Sequence, residues 1–222
     1  MRLTTTTPAI VAFMCAVVSC SAGEDPRDPA SELRSALEAT VAATSFAVSS
    51  TVRYEGEVVD GEVRHTAPDR YTITGAGERY PTTIGVGRDT YLSLHDQPDR
   101  YQLLRSACDV PIDEVVSFLG VVGEARDVEF VDRSYRFSVP SLEQPGKDGE
   151  IEVEAAIGGR YLASVRLRYH LSAVDTDVEE MHVLHDFGGD FSIEPPLPEQ
   201  IVTESDDEVI TLFPTPSPTC PV

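Results

Sequence analysis

Two histidines near the C-terminal end of the chain have a spacing that could hold a metal ion. His182 and His185 are three residues apart, which brings two imidazoles to one face of a helix. The alternating residues around them instead predict a strand, on which the two rings point to opposite faces. We therefore expect no metal site at this pair.

An acidic cluster precedes the histidines and could in principle bind calcium or carry acid–base chemistry. Calcium loops need a particular rhythm of oxygen ligands and a glycine for the turn, and the cluster has neither. The chain contains 38 acidic residues, so close carboxylate pairs arise by chance. We expect a solvated connection between strands, formed by Asp175, Asp177, Glu179 and Glu180.

Local catalytic motifs are missing from the sequence. It contains no G-x-S-x-G elbow, no P-loop and no H-E-x-x-H pair. Gly75-Ala76-Gly77 and Gly85-Val86-Gly87 lack the third glycine and the following helix of a dinucleotide site, so they are predicted to be turns. These observations predict a protein that is not an enzyme and that uses no cofactor.

The chemistry that the sequence supports best is modification of Cys20. An apolar stretch, Ala9–Val18, follows the single basic residue Arg2, as in a secretory signal. A stretch of ten residues is too short to cross a hydrocarbon core of about 30 Å. Ser19 and Cys20 then resemble a bacterial lipobox, in which the cysteine is lipidated and becomes the mature N-terminus. The alternative is ordinary secretion, with cleavage after Cys20-Ser21-Ala22.

This interpretation divides the chain into a signal peptide (1–19), a polar tether (20–27), a folded domain (28–203) and a Pro/Thr-rich tail (204–222). Removal of the signal peptide also removes Cys15, and lipidation uses Cys20. Cys108 and Cys220 then remain in an oxidising compartment, where a disulfide is the expected state of two thiols. Pairing requires Cα atoms within about 7 Å, which sequence alone does not establish.

The charge of the chain is strongly acidic, with 17 basic and 38 acidic residues. Residues 1–19 contain one charged residue, Arg2, so the mature part has 16 basic residues and a net charge of −22. Such a surface repels nucleic-acid phosphates and anionic headgroups. The composition therefore excludes nucleic-acid binding and requires a lipid anchor for attachment to a membrane.

The domain begins with a predicted helix and continues as strands. Asp28 and Pro29 are typical of a helix start, and apolar residues then follow at spacings of three and four. From Phe46 to Tyr54 the apolar period becomes two, which predicts a strand. Asp60-Gly61 predicts a hairpin turn. Further strands are predicted at Tyr71–Thr74, Thr82–Val86, Thr90–Leu94 and Tyr101–Leu104.

A second helix and more strands complete the domain. Asp109 or a neighbour is expected to cap this helix, and Gly120 or Gly123 to end it. Alternation then predicts strands around Phe137, Val153, Val165 and Val183, with a turn at Gly158-Gly159. Prolines 195, 196 and 198 argue against ladder pairing from Glu194 onward.

This order of elements predicts an α+β domain, in which helices cover the concave face of a strongly curved antiparallel sheet, a half-barrel. The chain resembles the LolA-like half-barrel lipoproteins, in particular the actinobacterial LppX/LprA/LprF/LprG group, over about residues 28–203. The resemblance rests on the lipobox at Cys20, the early helix leading into Phe46–Tyr54, the strand pair around Gly158-Gly159, and the closing stretch Asp186–Pro195.

The resemblance implies an envelope protein, anchored on the extracytoplasmic face of the membrane, that carries an acylated lipid or glycolipid between sheet and helices. An alternative is a ligand-free interaction or sensor module that binds another envelope protein. The apolar positions can either line a cavity or pack together as an ordinary core. The candidate lining residues are Val52, Tyr54, Ile73, Tyr91, Leu119, Val165, Leu167 and Val183.

Overall fold

The computed structural model describes residues 28–75, 80–105, 112–140, 147–172 and 174–202. Twelve strands form one open, curved sheet in the order β12-β6-β5-β4-β3-β2-β1-β11-β10-β9-β8-β7. All described pairings are antiparallel except that of β12 with β6. The elements are α1 (Pro29–Val41), β1 (Ser45–Tyr54), β2 (Glu57–Thr66), β3 (Arg70–Gly75), β4 (Thr83–Val86), β5 (Asp89–Leu94), β6 (Gln97–Arg105), α2 (Ile112–Val115), α3 (Ser117–Gly123), β7 (Glu129–Val131), β8 (Ser134–Pro140), β9 (Lys147–Gly158), β10 (Tyr161–Leu171), β11 (Thr176–His185) and β12 (Ile201–Val202).

The first helix begins where the sequence predicts it. Asp28 is the N-cap residue, its Oδ1 accepts from the Ala30 N–H at 3.4 Å, and Pro29 occupies the first turn. Leu33, Ala36 and Thr40 form the buried stripe of α1. The helix therefore has a locally encoded start and one face that packs against the sheet.

The two faces of the sheet differ in what covers them. We call the face that carries Phe46, Val165 and Phe137 the core face, because these side chains join α1 and α3 in one buried cluster. The opposite, outer face carries Ser49, Arg53 and their cross-strand neighbours. In β1, Val48 lies on the core face between Val63 of β2 and Leu184 of β11.

The predicted hairpin turn at Asp60-Gly61 is wrong. The turn lies at Glu55-Gly56, whose φ angles are +49° and +80°, and Tyr54 pairs with Glu57 across it. A turn at Asp60-Gly61 would leave only residues 62–66 to pair with β1 before the break at Pro68. The observed turn instead pairs ten residues of β2 with the whole of β1.

Strand β10 departs from the predicted alternation at its start. A register irregularity between Leu162 and Ser164 turns Leu162, rather than Ala163, into the core, where it is fully buried. The Leu162 N–H donates to the Thr40 Oγ1 at 2.9 Å, and this hydroxyl donates to the Ala36 carbonyl at 2.8 Å. The preceding loop is Gly159-Arg160, one residue later than predicted.

The second helical region is broken at Val116 into α2 and α3, and α3 ends at Gly123. Phe118, Leu119, Val121 and Val122 of α3 are buried in the core cluster. The predicted cap at Asp109 lies outside the described residues. No helix in the described part of the chain has both the length and the apolar character needed to span a bilayer.

After β11 the chain crosses the outer face as a strap and then joins the edge of the sheet. The Arg70 guanidinium donates to the Ile193 carbonyl at 2.8 Å, and that of Arg64 lies 6.0 Å from the Phe191 ring centroid. Beyond the prolines, Ile201 pairs with Tyr101 of β6. The expectation of no ladder pairing after Glu194 is therefore wrong for β12, since the prolines precede the paired residues.

Candidate functional site

Three of the predicted lining residues lie in the closed core. Leu119, Val165 and Leu167 are 1%, 0% and 2% exposed, between the sheet and the helices. Their side chains therefore have the environment of ordinary core residues.

Three others lie on the core face but outside that cluster. Val52, Tyr54 and Ile73 are half-buried, and none of them belongs to the core cluster or to the partly buried side chains packed against it. Val59 and Leu92 lie on the same face. Val59 pairs with Val52, and Leu92 pairs with Thr83, which in turn pairs with Ile73. We call this set the apolar strip: Val52, Tyr54, Val59, Ile73 and Leu92.

The strand register corrects the prediction that Tyr91 and Val183 line a cavity on the core face. The Tyr71 hydroxyl lies 3.2 Å from the Thr90 Oγ1 on the core face, so Tyr91 points to the outer face. Leu184 is buried on the core face, and the adjacent Val183 is 44% exposed on the outer face. Neither side chain can line a cavity on the core face.

A polar cluster lies beside the apolar strip on the same face. The Ser50 Oγ is 2.8 Å from the His182 Nδ1, and the His182 Nε2 is 3.1 Å from a carboxylate oxygen of Glu180. The Tyr169 hydroxyl donates to the other oxygen of that carboxylate. The His182 ring stacks on Phe118 of α3 with centroids 4.2 Å apart. We call Ser50, His182, Glu180 and Tyr169 the Ser50 cluster.

The environment of the Ser50 cluster is largely closed to water. The side chains of His182 and Glu180 are 9% and 16% exposed. Burial, together with the hydrogen bond to the Glu180 carboxylate, raises the pKa of the Tyr169 hydroxyl, so it remains a donor at neutral pH. The cluster is thus an internally satisfied polar network beside the apolar core.

A second serine–histidine pair lies directly behind it on the outer face. The Ser49 Oγ is 2.9 Å from the His185 Nε2, and the His185 Nδ1 is 3.0 Å from an oxygen of Asp186. The prediction that His182 and His185 point to opposite faces is therefore confirmed. The described residues contain no group of three or more side chains placed to hold a metal ion.

The outer face also carries a ladder of alternating charges. Glu179 accepts from Arg53 at 3.2 Å and from Arg168 at 3.0 Å, and the bond from Arg168 lowers the pKa of the Glu179 carboxyl. An open cavity of about 550 Å³ adjoins these groups at the edge of the two faces, because its lining also includes Tyr54, Tyr169 and Val178 of the core face. Exposed ion pairs of this kind contribute about 1 kcal/mol or less to the free energy of unfolding. The charged side chains that line the cavity do not suit an apolar ligand.

The acidic cluster divides between these environments. Asp175 and Asp177 are exposed beside His170, Glu179 joins the charge ladder, and Glu180 lies inside the Ser50 cluster. The three cysteines singled out in the sequence, Cys20, Cys108 and Cys220, lie outside the described residues.

Sequence reasoning missed the Ser50 cluster because its members are far apart in the chain. Ser50 and His182 are 132 residues apart and meet only because β1 and β11 pair in the sheet. The available signal was the polar residues His182 and Glu180 on alternate positions of an otherwise apolar strand pattern.

Several solved structures resemble this fold. LprF from Mycobacterium bovis aligns with a TM-score of 0.45 at 14% identity, covering 76% of this chain and 96% of LprF. The lipoprotein LppX from Mycobacterium tuberculosis aligns at 0.42 and 16%, covering 75% and 98%. A LolA superfamily protein from Nitrosomonas europaea aligns at 0.33 and 13%, covering 70% and 90%.

LprF and LppX are members of the group that the sequence resembles. No family model and no curated protein matches the chain.

Proposed function

We propose that this protein binds a hydrophobic ligand, such as an acylated lipid or glycolipid, on the apolar strip, and that a lipid on Cys20 holds it at the extracytoplasmic face of the cell membrane. The observation that carries the proposal is the division of the core face. Its β8–β10 part is closed by helices, whereas the strip on β1, β2, β3 and β5 stays half-buried outside the core cluster.

The strip has the properties that an acyl chain requires. Its side chains are apolar or aromatic, and covering apolar surface contributes roughly 25 cal/mol per Å². Apolar surface that the core leaves uncovered is typical of a binding site. In this arrangement the core face is the concave side of the sheet, with α1 and α3 closing one part and the ligand the other.

The membrane location follows from Cys20 and from the charge. A domain with a net charge near −22 is repelled by anionic headgroups, so the lipid must supply the attachment. A single acyl chain binds only marginally, and multiple acylation makes the anchor stable. The anchor also brings the strip within reach of membrane lipids.

A titration with a fluorescent fatty acid tests the ligand site. The protein without its acyl modification should bind the probe saturably at one site, and an unlabelled fatty acid should displace it. Fluorescence that rises without saturation, or that a competitor leaves unchanged, would contradict the proposed ligand site.

A palmitate labelling experiment tests the anchor. Wild type should incorporate radiolabelled palmitate in cells, and Cys20→Ala should not, because the thiol is the proposed acceptor. Equal labelling of the two proteins would rule out Cys20 as the anchor.

The interaction module remains a second candidate because of one feature of the sheet edge. On the edge strand β7, Phe130 and Val131 are 54% and 36% exposed. Exposed apolar residues on an edge strand are a suitable contact for another protein. A protein that binds no apolar probe, but associates with an envelope protein in a Phe130-dependent way, would favour this function.

A further inference from the structure

The Ser50 cluster has the connectivity of a nucleophile relay. A serine hydroxyl contacts one imidazole nitrogen at 2.8 Å, and a carboxylate holds the other nitrogen at 3.1 Å. This order of serine, base and orienting carboxylate activates the hydroxyl in hydrolases of unrelated folds. The His182 ring is reversed relative to the Ser-His-Asp triad, because its Nδ1 contacts the serine and its Nε2 contacts the carboxylate. Such relays are recognised by their geometry and by the role of each residue.

The position beside Ser50 on the core face carries no side chain. The cross-strand neighbour of Ser50 on β2 is Gly61. A Cβ atom at Gly61 would lie 3.2 Å from the Thr74 carbonyl oxygen and 4.0 Å from the Gly75 Cα, with no side chain within 4 Å. A glycine inside a strand marks a place that a ligand can approach closely. The carbonyl group of a ligand lying along the apolar strip can therefore rest over Gly61, next to the Ser50 hydroxyl.

The outer-face serine lacks this setting. Ser49 also contacts a histidine, but the His185 and Asp186 side chains are 36% and 65% exposed, against 9% and 16% for His182 and Glu180. Exclusion of water strengthens hydrogen bonds and charge interactions, so the relay on the core face is the stronger one. Ser49 is thus a matched control within the same strand.

From these observations we infer that Ser50 is a nucleophile toward acyl esters, which gives the ligand site a second, hydrolytic activity. The inference deepens the proposed function and rests on it, because the ester must be presented by a ligand on the apolar strip. The Ser50 Oγ attacks the ester carbonyl carbon while its proton moves to the His182 Nδ1. The C–O bond then breaks, and the leaving alcohol takes that proton. Water releases the acyl group from Ser50 as a carboxylic acid by the same route.

The turnover is expected to be slow. Strand β1 is paired on both sides, so its backbone N–H groups are used in the ladders with β2 and β11. Loss of one oxyanion donor costs hydrolases about 10²–10³ in rate. Covalent capture of the serine is therefore a better readout than release of product.

The test uses an alkyl fluorophosphonate, which forms a P–O bond to an activated serine and releases fluoride. The full chain in isolated membranes is treated with this probe, and the labelled peptide is identified by mass spectrometry. We expect the label on Ser50 in wild type and in Ser49→Ala, and no label at this position in Ser50→Ala. His182→Gln should slow labelling by about 10²-fold or more, because the general base is lost.

Glu180 acts as a positioning residue, and Glu180→Gln should slow labelling by less than His182→Gln does. The inference is overturned by absence of label on Ser50 in wild type, by label on Ser49, or by equal rates in wild type and His182→Gln. Fatty-acid binding distinguishes failure of the reactive serine from failure of the ligand site. Protein that binds the fatty acid but is not labelled contradicts the reactive serine alone, whereas protein that does neither contradicts the ligand site as well.

Discussion

Phe46→Ala is expected to lower the free energy of unfolding by about 3–5 kcal/mol. Phe46 is fully buried on β1, and its ring centroid lies 5.2 Å from that of His65 and 5.8 Å from that of Phe187. β1 joins the two halves of the sheet, so the cavity left by the ring would lie where they meet. Domains are stable by only about 5–15 kcal/mol, and the loss would be a large part of that.

Urea denaturation followed by circular dichroism measures the effect, and Phe130→Ala is the matched control. Phe130 is 54% exposed on the edge strand β7, so its removal should cost about 1 kcal/mol or less. Similar losses for the two variants would contradict the placement of Phe46 in the core.

Ile73→Asp is expected to weaken binding of the fluorescent fatty acid by about 100-fold. Ile73 belongs to the apolar strip and lies between Val63 of β2 and Thr83 of β4. A bound acyl chain would desolvate the new carboxylate without offering it a partner. A 100-fold loss of affinity corresponds to about 2.7 kcal/mol.

The matched control is Val183→Asp, which introduces the same charge on the outer face at an already exposed position. This variant should bind as wild type does. Equal weakening by both substitutions would assign the effect to net charge or to stability rather than to the strip.

The fold was predictable from the sequence where the signals are local. Asp28 and Pro29 define the start of α1, and the alternation from Phe46 to Tyr54 defines β1. The turn after β1 was not predictable from residue type, because Asp60-Gly61 is a stronger hairpin pair than Glu55-Gly56. Its position depends on the whole length of β1 needing a partner, and the break at Pro68 limits where that partner can end.

The site was predictable only in part, because β11 has its polar residues on the buried side. Glu180 and His182 lie on the core face, whereas Met181 and Val183 lie on the outer face. The alternation of apolar residues in β11 therefore predicts the wrong face for the core. The alternation from Phe46 to Tyr54 put Val52 and Tyr54 on the face of Phe46, which is the core face. Whether a residue there is covered by a helix or left in the strip depends on where α3 packs, which strand periodicity does not encode.

Native mass spectrometry of three proteins side by side tests the ligand site most directly. Wild type, Ile73→Asp and Val183→Asp are purified without the acyl modification and compared for lipid that copurifies with the folded chain. A lipid adduct on wild type and Val183→Asp that is absent from Ile73→Asp is the predicted result. Lipid on none of the three, or equal lipid on all three, would contradict a hydrophobic ligand site on the apolar strip.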